Sequence, residues 1–171
     1  MNLIKSIFGK TPRIAESAYI SDAAVIIGDV EIGEESSVWP CAVIRGDDGP
    51  IRIGREVHIQ DNSVVHCGNG GLEIGTKVNI GHGVVVHCRR IGNNVLIANN
   101  ATILDDVEIG NFCMVAAGAV VPPRTKVPDY SFVVGVPAEI KPEIHGQRLE
   151  YLKEAGAHYT WKAKEYKKAG V

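Results

Sequence analysis

The stretch Ile91-Gly92-Asn93-Asn94-Val95-Leu96-Ile97-Ala98-Asn99-Asn100-Ala101-Thr102-Ile103-Leu104-Asp105-Asp106-Val107-Glu108-Ile109-Gly110 decides how the rest of the chain is read. An isoleucine stands at 91, 97, 103 and 109, every sixth position, with small residues interspersed. That period is neither the 3.6 of an amphipathic helix nor the 2 of a hairpin strand. It fits short strands joined by tight turns, three hexads completing one triangular coil whose aliphatic positions stack as interior columns.

Outward from this stretch, Ile-Gly recurs at 32–33, 53–54, 74–75, 91–92 and 109–110, in steps of 21, 21, 17 and 18. The hexad marks continue as Val38 and Ile44, Ile59 and Val65, Ile80 and Val86, Val115 and Val121, then Val127 and Val133. Stacked coils pair parallel strands. The three-residue excesses around Asp48-Gly49-Pro50 and Gly68-Asn69-Gly70-Gly71 are expected as loops at corners. The 17-residue coil calls for a tightened corner near Arg89-Arg90. The expected fold is therefore an all-β solenoid, a parallel β-helix over residues 1–142 with a short N-terminal cap strand. The repeat weakens after Gly135-Val136-Pro137-Ala138. Over 143–171, Leu149, Leu152, Ala155, Tyr159, Ala163 and Tyr166 recur at helical spacing with Gly156 as a break, giving a C-terminal α-helical appendage packed on the solenoid.

Composition narrows the function. A net charge of −2 and a pI near 6.3 over 171 residues provide no basic field for nucleic acid. The lysines 162, 164, 167 and 168 read as a solvated helix face. With no signal-peptide pattern and no run of eighteen apolar residues, a soluble, cytoplasmic protein without a membrane partner is expected. Cys41, Cys67, Cys88 and Cys113 lack CxxC spacing and read as reduced, space-filling thiols.

The register places the histidines. Arg45, His66 and His87 each follow the third aliphatic residue of a coil, so they stack on one side of the triangle at about the 4.7–4.9 Å spacing of adjacent strands. His82 follows the second-face Ile80 by two residues, above Asp61 and below Asn99, and points away from the other two. Three neutral imidazoles with one open position are the ligand set of a catalytic zinc or similar divalent metal. His66 and His87 can share an ion; His82 must come from another subunit. A closed ring of three prisms brings those faces together. Cys67 and Cys88, next in the alternation, face away.

Arg45-Gly46-Asp47-Asp48, Gln60-Asp61-Asn62 with His66, and then His82 and His87 resemble the γ-class carbonic anhydrases, the likeness running from about Ile14 to Pro137. The resemblance implies a left-handed β-helix, an exception to the right-handed crossover rule. It also implies a homotrimer whose metal is bound by His66 and His87 of one subunit and His82 of its neighbour, hydrating CO₂ reversibly to bicarbonate through a metal-bound hydroxide. In that resemblance Gln60 orients the hydroxide, Arg45 and Asp47 form an ion pair at the interface, Asp48 takes the place of a family glutamate able to shuttle protons, and Tyr159 carries over a tyrosine near the site. Asp61 has an outer or interface role, and His158 stands where many relatives carry an asparagine. The Cys67–Gly71 loop lacks the shuttle carboxylate of the best-characterised relative. Zn²⁺, Fe²⁺ and Co²⁺ all suit three imidazoles. Hydrolysis of acyl-CoA thioesters, acyl transfer on a hexapeptide solenoid, and a catalytically weak metal scaffold stand as alternatives.

Overall fold

Each hexad folds as a two-residue strand and a tight turn. In the computed structural model, which describes residues 3–142 and 144–170, the strands Leu96–Ile97, Thr102–Ile103, Glu108–Ile109, Met114–Val115, Val120–Val121 and Lys126–Val127 follow one another around a three-sided, left-handed parallel β-helix. The second residue of each strand and the residue two before it point inward. Val95 and Ile97, Ala101 and Ile103, Val107 and Ile109, Cys113 and Val115, Ala119 and Val121 are all at most 1% exposed. Small or β-branched residues suit the position two before the strand end, because the chain bends there.

The turns share one backbone device. Asn94, Asn100, Asp106, Phe112, Gly118, Arg124 and Tyr130 all have positive φ, between 54° and 67°, again at every sixth residue. For residues other than glycine this conformation costs roughly 1 kcal/mol or more. Stacking offsets it at six of these seven positions, Asp106 excepted, since their N–H donates to the coil before: Asn100 to the His82 carbonyl at 2.9 Å, Phe112 to Asn93 at 2.8 Å, Arg124 to Asp105 at 2.8 Å.

The departures from strict repetition are where the chain carries extra or missing residues. Asp48-Gly49-Pro50, expected as a corner loop, instead lies inside one continuous strand, Val43–Ile53, which pairs with Val25–Ile32 across a register shift between Gly28 and Val30. Both halves of that strand keep parallel partners, so the excess is absorbed as a bulge rather than extruded. Gly68–Gly71 is a turn, as expected, closed by the Gly71 N–H on the Gly68 carbonyl at 3.0 Å. At the short coil the Val107 carbonyl accepts from both Arg89 and Arg90, at 3.0 and 3.4 Å, which marks the tightened corner.

At the N-terminus two strands, Ile4–Lys5 and Arg13–Ile14, replace the single cap strand expected, with Ile7 and Lys10 paired in the turn between them. Met1, Glu143 and Val171, which bound the expected segments, lie outside the described residues. Ala138–Pro142 folds back antiparallel on Ser131–Gly135 and covers the last strand's edge. Two helices follow, α1 (Gly146–Glu154) and α2 (Ala157–Ala169), divided at Ala155-Gly156.

Each face of the prism presents a different outward row. Beneath the helices run Tyr19, Ser37, His58, Asn79, Leu96, Met114 and Phe132. The second face presents Val25, Val43, Val64, Val85, Thr102 and Val120. On the third the row is Arg13, Glu31, Arg52, Glu73, Arg90, Glu108 and Lys126, alternating in charge.

Candidate metal centre

The second face carries the stacked histidines at its corner. Ile44, Val65 and Val86 fill the interior, so alternation turns Arg45, His66 and His87 outward. Arg45 lies opposite His66 in the paired strands, and the His66 and His87 rings are 5.1 Å apart, tilted by 42°. The strand bulge bends Asp47 and Asp48 back over the first ring. His66 Nε2 is 3.2 Å from Asp47 Oδ1 and 3.3 Å from Asp48 Oδ2. Arg45 donates to both Asp47 oxygens, at 2.7 and 2.5 Å, so this ion pair closes within one chain. Partial burial alone would raise the Asp47 carboxyl, but the Arg45 hydrogen bonds, its own backbone N–H and His66 together hold it below the usual carboxylate range. Asp48 is 56% exposed, so it touches both the histidine and solvent. His87 Nδ1 sits 3.1 Å from Asp105 Oδ1.

His82 occupies a different corner. Its backbone N–H donates to Asn99 Oδ1 at 3.0 Å, and its Nδ1 is 3.0 Å from Asp61 Oδ2, the column read from the register. The ring is half exposed. Gln60, one residue before Asp61, is 6% exposed, yet its side-chain amide has no hydrogen-bond partner among the described residues. Tyr159, on α2, packs over Trp39 and stacks on His58. Burial raises its phenol, with the Asp61 carboxylate adding to the effect.

One chain therefore brings Arg45, Asp47, Asp48, His66 and His87 together, and separately Asp61 and His82, while Tyr159 sits with Trp39 and His58. Among the described residues, the one group of three His, Cys, Asp or Glu ligand atoms within 4.8 Å of one another is Asp47, Asp48 and His66. The three histidines do not converge inside a protomer. Cys67, Cys88 and Cys113 are buried, with the Cys88 thiol pushed up to about 12, whereas Cys41 is exposed at a left-handed turn.

Two features escape a reading based on hexad marks. His58, fully buried on the helix-covered face, accepts at Nδ1 from Ser37 Oγ at 2.8 Å. That direction follows because the Gly156 carbonyl beside Nε2 can only accept, which puts the ring proton on Nε2 and leaves the lone pair on Nδ1; Trp39 Nε1–H donates to the same Ser37 hydroxyl at 2.8 Å. Nε2–H is left to face Thr160 Oγ1 at 3.1 Å and the Gly156 carbonyl, tying α2 to the solenoid. The sequence signal was the outward strand slot that His58 shares with Ser37 and Asn79. The second feature is Asp105, one coil beyond His87.

Residues 90–123 match the family model described as bacterial transferase hexapeptide (six repeats). A Methanocaldococcus jannaschii protein named "Probable carbonic anhydrase" is 45% identical over 148 residues, covering 86% of this chain and 93% of that protein. The chain belongs to the γ-carbonic-anhydrase-like family of hexapeptide-repeat proteins. Within that family, the mitochondrial gamma carbonic anhydrase 2 of Arabidopsis thaliana is 31% identical over 91% of this chain, which spans 59% of that protein's length. The solved structure of a hexapeptide transferase family protein from Anaplasma phagocytophilum superposes with a TM-score of 0.92 at 31% identity, over 96% of this chain and 98% of the other. Among the described residues no helix is long and apolar enough to cross a membrane.

Proposed function

We propose that the protein is a metal-dependent, γ-type carbonic anhydrase-like lyase that interconverts CO₂ and bicarbonate as a homotrimer. In this reading each divalent metal is held by His66 and His87 of one subunit and His82 of the partner subunit. The observation that carries it is the pair of stacked imidazoles on one corner, with the third histidine held outward on another. The donor chemistry suits such an ion. Asp105 and Asp61 engage Nδ1 of His87 and His82, which leaves Nε2 of each as the free lone pair, whereas the two carboxylates at His66 Nε2 place the proton of a neutral His66 on that nitrogen and its lone pair on Nδ1. The exposed valine row, with Val64 at 38% and Val85 at 39%, gives the same corner an apolar surface to bury against a neighbour.

A bound dication supplies Lewis acidity, lowering the pKa of water towards about 7. This chain's residues do the rest. The unpartnered Gln60 amide orients the attacking oxygen, and Arg45 keeps Asp47 ionised and in place beside His66. Asp48, half exposed, passes to solvent the proton released when water and CO₂ become bicarbonate, a task for which the Gly68–Gly71 turn has no carboxylate. Tyr159 walls the pocket from α2.

Metal analysis and stopped-flow CO₂ hydration on the protein test this reading. The expected result is one metal per chain and an activity lost with the metal. His82→Ala is expected to lose the metal while remaining folded. Mixing refolded His66→Ala and His82→Ala chains should then restore one complete site of three in each mixed trimer. Stoichiometric metal in His82→Ala would refute the cross-subunit assignment.

Acyl transfer is the second reading, favoured by the transferase description of the matching repeat family. Release of CoA from acetyl-CoA that is dependent on an amine acceptor and survives chelator treatment would favour it. A metal-replete protein inert in both assays would mark a scaffold.

A further inference from the structure

The 17-residue coil has a consequence at the stacked histidines. Val86 pairs with Ile103, so Leu104 rather than a carboxylate lies opposite His87, and Asp105 follows at the corner. The turn holds it there: its carbonyl accepts from the Arg124 N–H at 2.8 Å, and Asp106 beside it adopts a φ of 56°. From this position the Asp105 carboxylate reaches back to His87 Nδ1 at 3.1 Å. An ionised carboxylate only accepts, so the proton of a neutral His87 sits on Nδ1 and the lone pair on Nε2. His82 has the same arrangement with Asp61. Asp105 is 62% exposed, and a polar contact at such a site contributes little to folding.

We infer that Asp105 is a positioning residue that fixes the tautomer and orientation of His87, presenting Nε2 to the divalent metal. The inference rests on the metal reading proposed above. Without the carboxylate either ring nitrogen can carry the proton and the ring can turn, so the metal is bound by a ligand that first has to be ordered. Asp106 lines the same cavity of about 240 Å³, together with His87, Arg89 and the Gly68–Gly71 turn, and serves as the charge control.

Chelator competition with Zn²⁺ and with Co²⁺, on the assembled protein, tests this. Asp105→Ala is expected to bind both ions about 10–100-fold more weakly, as loss of an outer-shell carboxylate does elsewhere. It should also alter the visible spectrum of bound Co²⁺ while leaving far-UV circular dichroism unchanged. Asp105→Asn, whose Oδ1 can still accept from Nδ1–H, should recover most of the affinity, and Asp106→Ala should bind like the wild type. In the Zn²⁺-loaded wild type, ¹⁵N-histidine NMR should show His87 protonated at Nδ1, a readout that needs no variant. Wild-type affinity in Asp105→Ala, an equal loss in Asp106→Ala, or His87 protonated at Nε2 would each overturn the inference. Undiminished binding in His87→Ala would instead overturn the metal reading itself.

Discussion

His58 shows how one residue can be critical without touching the proposed chemistry. Burial pushes its imidazole down to about 4 from 6.5, since the charged form would lose its hydration inside the solenoid wall. The folded protein thus binds this proton more weakly than the unfolded chain. Its contribution to stability is full above pH 6.5 and lost as the pH falls towards 4, a span corresponding to about 3 kcal/mol. Denaturant midpoints measured between pH 7.5 and 4.5 should fall along this limb, and His58→Gln should be less stable at neutral pH with a flatter acid limb. An acid limb unchanged in His58→Gln would assign the effect to other groups. The histidines of the proposed metal centre were legible from their 21-residue register, because a hexad mark gives the column directly. His58 was not, because it closes on Ser37, whose hydroxyl Trp39 also engages, and on Thr160 of a helix 102 residues away.

At the scale of elements, the hexad supplies interior columns, but the outward rows decide what each face can do. The third face alternates in charge over seven strands, from Arg13 to Lys126, with Arg52 paired to Glu31 at 3.1 Å and Lys126 to Glu108 at 3.2 Å. Opposite charges directly across parallel strands favour the observed stacking of coils, and a slip by one coil would set like charges against each other. Glu73→Lys places a cation between Arg52 and Arg90. It is expected to cost up to about 1 kcal/mol at low ionic strength, with the loss shrinking in molar salt as screening shortens the interaction. Thermal midpoints at low and high salt check this, and a salt-independent loss would point to backbone disruption. The alternation was readable from the 18- and 21-residue steps once the register was known. The bulge at Asp48-Gly49-Pro50 was not, since a count of extra residues does not say whether they leave the sheet or stay in it.

For the whole molecule, the three faces divide the work: one under the helices, one charged and facing solvent, one apolar with His66 and His87 at its corner. In the proposed trimer the valine row is the contact surface. Val64→Asp with Val85→Asp should shift the mass in light scattering from trimer to monomer and release the metal, with the far-UV spectrum retained because both side chains point outward. A trimer that persists in this variant would place the interface elsewhere. The sequence by itself determined the solenoid, its interior columns, the stacking of His66 on His87 and the outward placement of His82, because a six-residue period converts position directly into column. Only the tertiary structure decided the folding-back of Asp47 and Asp48 onto His66, the reach of Asp105 to His87 and the burial of His58 beneath α2. Those depend on how irregular turns and a distant helix close in space, where repetition no longer dictates the geometry.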